Sequence, residues 1–304
     1  MNNDHQDRAL GCLLGLAVGD ALGSTLEFTA RDELPHHADM AGKGPFDLEP
    51  GQWTDDTSMA LALTDSLVTC HGLDAADLMT RFLAWRQAGD YSCTGECFDI
   101  GTTTSQALSR FRRNGNAYAG SVAEDSAGNG SLMRVAPVAL YALHDPVLAT
   151  RLARDQSRTT HGAPQAVEAC DLFVSMLRSA ILGTEREVVL APRHWDGHAA
   201  IRHVAAGAWR NKSRASIRST GYVVDTLEAA LWSVGNTGNF EDALVLAVNL
   251  AGDADTVGAV AGQLAGAVYG ASAIPKRWLQ PLAWRHKIEA MGQALLETGP
   301  RPTV

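Results

Sequence analysis

Gly252-Asp253-Ala254-Asp255-Thr256, running directly into VGAVAGQLAGAVYGASAI (residues 257–274), is the stretch on which the fold turns. Its second part carries no charged side chain over 18 residues, the length at which a membrane-spanning helix has to be considered. The composition argues against a span, because Gly, Ala and Ser are weakly hydrophobic and Gln263 stands at the centre. Gly258, Gly262 and Gly266 recur every four residues and line one face of a helix. A flat glycine face lets a second helix approach closely. The stretch reads as a buried core helix with an acidic, hydroxyl-bearing start.

Working outward, helical periodicity dominates. Residues 8–22 carry apolar side chains at Leu10, Leu13, Leu14, Leu16, Ala17 and Ala21. Asp74 reads as the N-cap of a helix with Leu78, Phe82 and Trp85 at helical steps. The same pattern covers 138–152, 165–182, 223–234, 241–250 and 284–296. Strand-like alternation is scarce, and Gly, Pro and Asn punctuate short connections at 42–50, 115–120 and 235–238. There is no internal repeat, low-complexity tract or long linker. The expectation is an all-α fold, one compact domain over residues 1–304 with roughly ten or more helices.

The chain is 46% hydrophobic and 19% charged, the composition of a soluble globular protein. Its 25 basic and 34 acidic residues give a net charge of −9, which disfavours a nucleic-acid backbone or an anionic membrane as partner. Five cysteines at irregular spacing make a poor disulfide framework, and no second pair joins Cys93 and Cys97 in a zinc site. The N-terminal MNNDHQDRAL is acidic where a secretory signal is basic and then apolar. A cytoplasmic location with reduced thiols is expected.

Two carboxylate clusters stand at helix starts: Thr54-Asp55-Asp56-Thr57, before an apolar run, and Asp253-Ala254-Asp255-Thr256. Short oxygen-bearing side chains cap helices there, but one such residue suffices for a cap. Paired carboxylates repel one another unless a cation lies between them. An all-oxygen donor set selects Mg²⁺, Mn²⁺ or Ca²⁺ over Zn²⁺. From the clusters alone, capping and metal binding both stay open. An aspartate-based phosphatase does not, because Thr256 follows Asp255 directly and the Asp-x-Asp-x-Thr spacing is missing.

The loops offer further candidates. Gly128-Asn129-Gly130-Ser131 precedes a helical-looking run over 132–137 and could form an amide nest for phosphate. Gly19-Asp20-Ala21-Leu22-Gly23 reads as a small-residue bend leading to Glu27. Asp99 stands alone before a helix, a frequent cap position. His161 follows Thr159 and Thr160.

Together these segments resemble the ADP-ribosylglycohydrolase family. The resemblance is carried by Gly19 to Gly23 with Glu27, Thr54-Asp55-Asp56-Thr57, Gly128-Asn129-Gly130-Ser131-x-Met133-Arg134, Thr160-His161, and Gly252-Asp253-Ala254-Asp255-Thr256 with the helix that follows. Order and spacing match over residues 7–280. Phe98-Asp99-Ile100-Gly101 and Gly221-Tyr222-Val223-Val224-Asp225-Thr226 resemble the bacterial dinitrogenase reductase-activating branch, which removes ADP-ribose from arginine. Ala251 stands where the family often has Gly, and Thr102 where the branch often has Asn.

The resemblance implies an all-helical fold with two Mg²⁺ or Mn²⁺ ions in a cleft. It carries the metal ligands onto Thr54, Asp55, Asp56, Asp253, Asp255 and Thr256. Gly128, Asn129, Gly130 and Ser131 would hold the diphosphate, Met133 and His161 line the site, and Tyr222 lie near the adenosine. Asp99 would be the acid/base and Glu27 a gating or positioning acid. The implied activity is metal-dependent hydrolysis of ADP-ribosyl arginine on a mono-ADP-ribosylated protein, by a monomer. The alternatives are another ADP-ribose linkage (serine, O-acetyl-ADP-ribose, nucleic acid) or a non-catalytic ADP-ribose-binding module.

Overall fold

In the computed structural model, which describes residues 2–300, the chain is helical with no sheet among the described residues. Fourteen α-helices follow in order: α1 (Asn3–Gly23), α2 (Asp55–Thr69), α3 (Ala75–Ala88), α4 (Thr102–Asn114), α5 (Ala136–Tyr141), α6 (Pro146–Thr160) and α7 (Pro164–Ile181). Then come α8 (Arg186–Val189), α9 (Ala199–Ala205), α10 (Val223–Gly235), α11 (Phe240–Val248), α12 (Ala254–Tyr269), α13 (Lys276–Leu279) and α14 (Arg285–Thr298). The all-α, single-domain expectation holds for these residues; Met1 and 301–304 lie outside them.

The core is organised by α12, which packs on α1, α7, α10 and α11. Its glycine face meets a second one that the sequence reading did not single out: Gly11, Gly15, Gly19 and Gly23 of α1. The helices run antiparallel, pairing Gly11 with Gly266, Gly15 with Gly262 and Gly19 with Gly258. A Cβ at Gly262 would overlap the carbonyl oxygen of Gly15, and one at Gly15 would overlap that of Gly262. Glycine is needed on both sides for backbones this close. Gln263, fully buried, donates from Nε2 to the carbonyl of Met133 at 2.7 Å, tying α12 to the segment after the glycine loop.

One helix among the described residues is long and apolar enough to cross a membrane: Asn3–Leu26, not the 257–274 stretch. Its most apolar window is 89% buried against the rest of the protein, which makes it a core helix.

Three local expectations change. Gly19 to Gly23 is the last turn of α1, not a bend. Residues 132–137 are mostly turn, with α5 beginning at Ala136. The apolar pattern over 138–152 is two helices, because Pro146 restarts the chain with Asp145 as N-cap, its carboxylate accepting from the Leu148 amide at 2.9 Å. Asp74 caps α3 as expected, accepting from the amides of Ala76 and Asp77.

Candidate active site

The glycine seam ends where the acidic residues begin. Antiparallel packing puts the C-terminal end of α1, with Asp20 and the Glu27 that follows it, beside the N-terminal end of α12. The start of α2 closes the third side. Asp20 Oδ1 accepts from the amide and hydroxyl of Thr54 at 2.8 and 2.9 Å, and Oδ2 accepts from those of Thr57 at 2.9 and 2.6 Å. Asp20 thus caps α2 from another helix, and Thr54 makes no side-chain cap of its own. Glu27 Oε2 does the same for α12, accepting from the amides of Ala254 at 2.7 Å and Asp255 at 3.4 Å. Capping therefore does not explain Asp55, Asp56 or Asp253.

These acids gather into two groups that share Asp255. Asp20, Asp56 and Asp255 have carboxylate oxygens within 4.8 Å of one another, as do Glu27, Asp253 and Asp255. The hydroxyl of Thr54 lies 3.3 Å from Asp255 Oδ2, and that of Thr256 lies 3.3 Å from Asp56 Oδ2. Asp20 has all four acceptor positions filled and serves to orient α2. Asp56, by contrast, is fully buried and its Oδ1 has no partner among the described residues, which normally costs a few kcal/mol. A hard cation among all-oxygen donors supplies the missing partner, so the residues fit the metals implied by the sequence.

The electrostatics agree. Burial, then repulsion from Asp255, pushes Asp20 and Asp253 up to about 7. Asp55 and Asp56 are raised well above the carboxylate range by burial and by neighbouring acids, Asp255 first for Asp55 and Asp20 first for Asp56. Between the ordinary carboxylate value and about 7, the folded metal-free protein binds more protons than the unfolded chain. Its stability must then fall as pH rises through that window. In EDTA, the melting temperature is expected to drop by several degrees from about pH 5 to about pH 7.5, and saturating Mn²⁺ at the higher pH should recover it. A melting temperature indifferent to the cation would show that the carboxylates need none.

Above the cluster lies a cavity of about 560 Å³. Of the residues singled out in sequence, Glu27, Asp55, Asp99, Gly128, Asn129, Gly130, Met133, His161, Asp253, Asp255 and Thr256 line it, with Thr54 and Asp56 outside its lining. Ser131 and Tyr222 do not line it. Ser131 is buried, accepting from the hydroxyl of Ser157 at 2.8 Å, and Tyr222 pairs through its backbone with Gly128. Asp99 is no cap either: Gly101 precedes α4 without a side-chain cap bond. Asp99 adopts φ 55°, and burial, then Asp55 and Asp255, pushes its carboxyl up to about 11. Both it and Glu27 lie within hydrogen-bonding reach of Asp255. Ala251 has φ 57°, a conformation that glycine adopts without cost.

The glycine loop is held by its surroundings. The Gly128 amide donates to Ser126 and the Asn129 amide to Gly221, while Asn129 Nδ2 donates to Asp253 Oδ2 at 2.7 Å. Among the described residues, the amides of Gly130 and Ser131 have no partner. A Cβ at Gly128 or Gly130 would lie 3.2 Å from His161 Nε2, so the ring occupies the space a side chain would need.

Beneath the loop, Arg134 is fully buried, stacked 4.8 Å over Phe82 and donating to Gly130, Gln156 and Thr160. Burial lowers it to about 9, leaving it charged at neutral pH. Thr160 accepts from Arg134 at 2.9 Å, and its hydroxyl lies 2.8 Å from His161 Nδ1. Burial and then Arg134 lower His161 to about 3, so its ring is neutral. With the Thr160 hydrogen on Nδ1, the tautomer is the one in which Nε2 presents its N–H to the cavity. Sequence reading gave no role to Asp20, Arg134 or Thr160, although each lay inside a quoted motif. The hydroxyls of Thr103, Thr104 and Thr220 were missed as well.

Comparison with known proteins gives the family. A family model described as ADP-ribosylglycohydrolase matches residues 1–303. The chain belongs to the ADP-ribosylglycohydrolase family. An ADP-ribosylarginine hydrolase of Pseudomonas putida is 46% identical to it over 97% of this chain and 79% of the relative. One from Serratia proteamaculans is 42% identical over 97% and 80%. The ADP-ribosyl-dinitrogen reductase glycohydrolase of Rhodospirillum rubrum is 38% identical over 91% and 90%. A solved structure described as an ADP-ribosylglycohydrolase-related protein complex superposes with a TM-score of 0.88 at 44% identity, covering 98% of this chain and 100% of that one.

Proposed function

We propose that this protein hydrolyses the N-glycosidic bond between ADP-ribose and an arginine side chain of a mono-ADP-ribosylated protein, using two Mg²⁺ or Mn²⁺ ions. The observation that carries this reading is the pair of carboxylate groups sharing Asp255 at the foot of the cavity. Thr54, Asp55, Asp56, Asp253, Asp255 and Thr256 would hold the ions. When bound, two such cations supply positive charge that polarises the vicinal ribose hydroxyls and orients a water.

The chain's own residues do the rest. The Gly130 and Ser131 amides and the His161 Nε2–H offer uncharged donors to the diphosphate. Asn129, fixed between Thr226 and Asp253, keeps that loop in register with the carboxylates. Asp99, which burial and its acidic neighbours keep protonated, gives its proton to the departing guanidine and regains one from the attacking water, a role worth about 10²–10⁴-fold. Glu27 fixes the α12 start and borders the same space. The identities of 46% and 42% to ADP-ribosylarginine hydrolases support arginine over other linkages.

The test is release of ADP-ribose from an arginine-ADP-ribosylated protein with Mn²⁺ or Mg²⁺, repeated in EDTA. Release that EDTA abolishes is expected, with Asp99→Ala slowing turnover about 10²-fold or more while ADP-ribose affinity persists. Binding of ADP-ribose without release would move the assignment to another linkage or to a binding module.

A further inference from the structure

Phe28 follows Glu27 at the cavity mouth, and its side chain is 68% exposed although the residue lines the cavity. Its backbone has φ 60°, a left-handed conformation that bulky residues rarely take. The segment is pinned there: the Phe28 amide donates to Gly252 at 2.7 Å, and the Gly252 amide returns a bond to Thr29 at 2.9 Å. A strained backbone that holds an apolar ring in water points to function. Phe28 is not alone. Phe46 packs against it edge-on at 6.0 Å, and Phe98 lies 5.2 Å from Phe46. The three rings form a strip whose ends adjoin, in sequence, the carboxylates of Glu27 and Asp99. The hydrolytic chemistry above uses none of them.

We propose that this strip is the subsite for the arginine side of the substrate, with the guanidinium plane of the modified residue stacked on Phe28. This rests on the arginine-hydrolase reading and names how the aglycone is recognised. A planar delocalised cation is attracted to an aromatic face and stacks on it. No lysine or arginine is among the residues that line the cavity, so no fixed side-chain cation there repels a guanidinium. The strip also belongs to the Glu27 and Asp99 wall, where the glycosidic nitrogen has to depart, while the glycine loop and His161 supply the donors for phosphate.

The experiment compares wild-type with Phe28→Ala, Phe28→Leu and Phe28→Trp, measuring kcat and KM on an arginine-ADP-ribosylated protein and the Kd of ADP-ribose, which lacks the guanidinium. Phe28→Ala and Phe28→Leu are expected to raise KM about 3- to 30-fold with kcat little changed and ADP-ribose Kd intact. Phe28→Trp should match or improve on wild-type. Loss of ADP-ribose affinity in parallel would place the ring on the nucleotide and overturn the proposal. So would a wild-type KM in Phe28→Leu, which keeps apolar area but has no π face. An active wild-type with an unaffected Phe28→Ala defeats the subsite alone. A wild-type that releases nothing from the arginine linkage defeats both readings.

Discussion

Asp255→Asn is expected to lower ADP-ribose release on the order of 10³-fold, about 4 kcal/mol of lost transition-state stabilisation, while leaving the protein folded. Asp255 is the one residue common to both carboxylate groups, and Glu27, Asp99 and the Thr54 hydroxyl all lie within its reach. Asparagine keeps its shape and its place in the first turn of α12, so packing has no reason to fail. Removing one negative charge should even relieve Asp20, Asp55 and Asp253, each pushed up by Asp255. The two consequences differ in sign and can be read together. In EDTA near neutral pH, the variant should melt above wild-type; with saturating Mn²⁺, the cation-dependent rise seen in wild-type should be absent. A variant that keeps both turnover and the Mn²⁺-dependent rise would rule out a shared dinuclear centre.

Much of the helical framework was legible in the chain. The periods over 165–182, 223–234 and 284–296 became α7, α10 and α14, because one-sided burial imposes the 3.6-residue repeat. The restart at Asp145-Pro146 was hidden because the apolar pattern runs across it. The site divides along the same line. Local motifs exposed Asp55, Asp56, Asp253 and Asp255 as candidates and left capping open, because a cap is ordinarily supplied by its own helix. Here Asp20 and Glu27 cap α2 and α12 across the fold, and no local pattern encodes a partner 34 or 227 residues away. Arg134 was hidden for a related reason: its acceptors are carbonyls and hydroxyls that only the folded chain assembles. Phe28 was hidden because an exposed aromatic leaves no periodic signature.

The glycine seam ties stability to chemistry. Gly262→Leu is expected to cost more than about 5 kcal/mol, enough to leave little soluble protein, since the contact between α1 and α12 is buried and a Cβ alone already overlaps the Gly15 carbonyl. Gly→Ala substitutions insert a single methyl and cost less than leucine, about 3 kcal/mol or more because that methyl meets a backbone carbonyl and not a flexible side chain, and they are more informative. Each one forces the two helices apart locally and so shifts Asp253 and Asp255 against Asp20 and Glu27. A displacement near 1 Å at reacting groups costs about 10²-fold. The pairing places Gly258 and Gly19 one turn from the carboxylates and Gly266 and Gly11 at the far end. Loss of activity should therefore grow in the order Gly266→Ala, Gly262→Ala, Gly258→Ala, while loss of melting temperature should not follow that order. Gly238→Ala, where an added Cβ meets nothing within 4 Å, should change neither. A graded fall in turnover against an ungraded fall in stability would mean that the seam sets the geometry of the acidic cluster. Turnover that merely tracks melting temperature would mean that it serves the core alone.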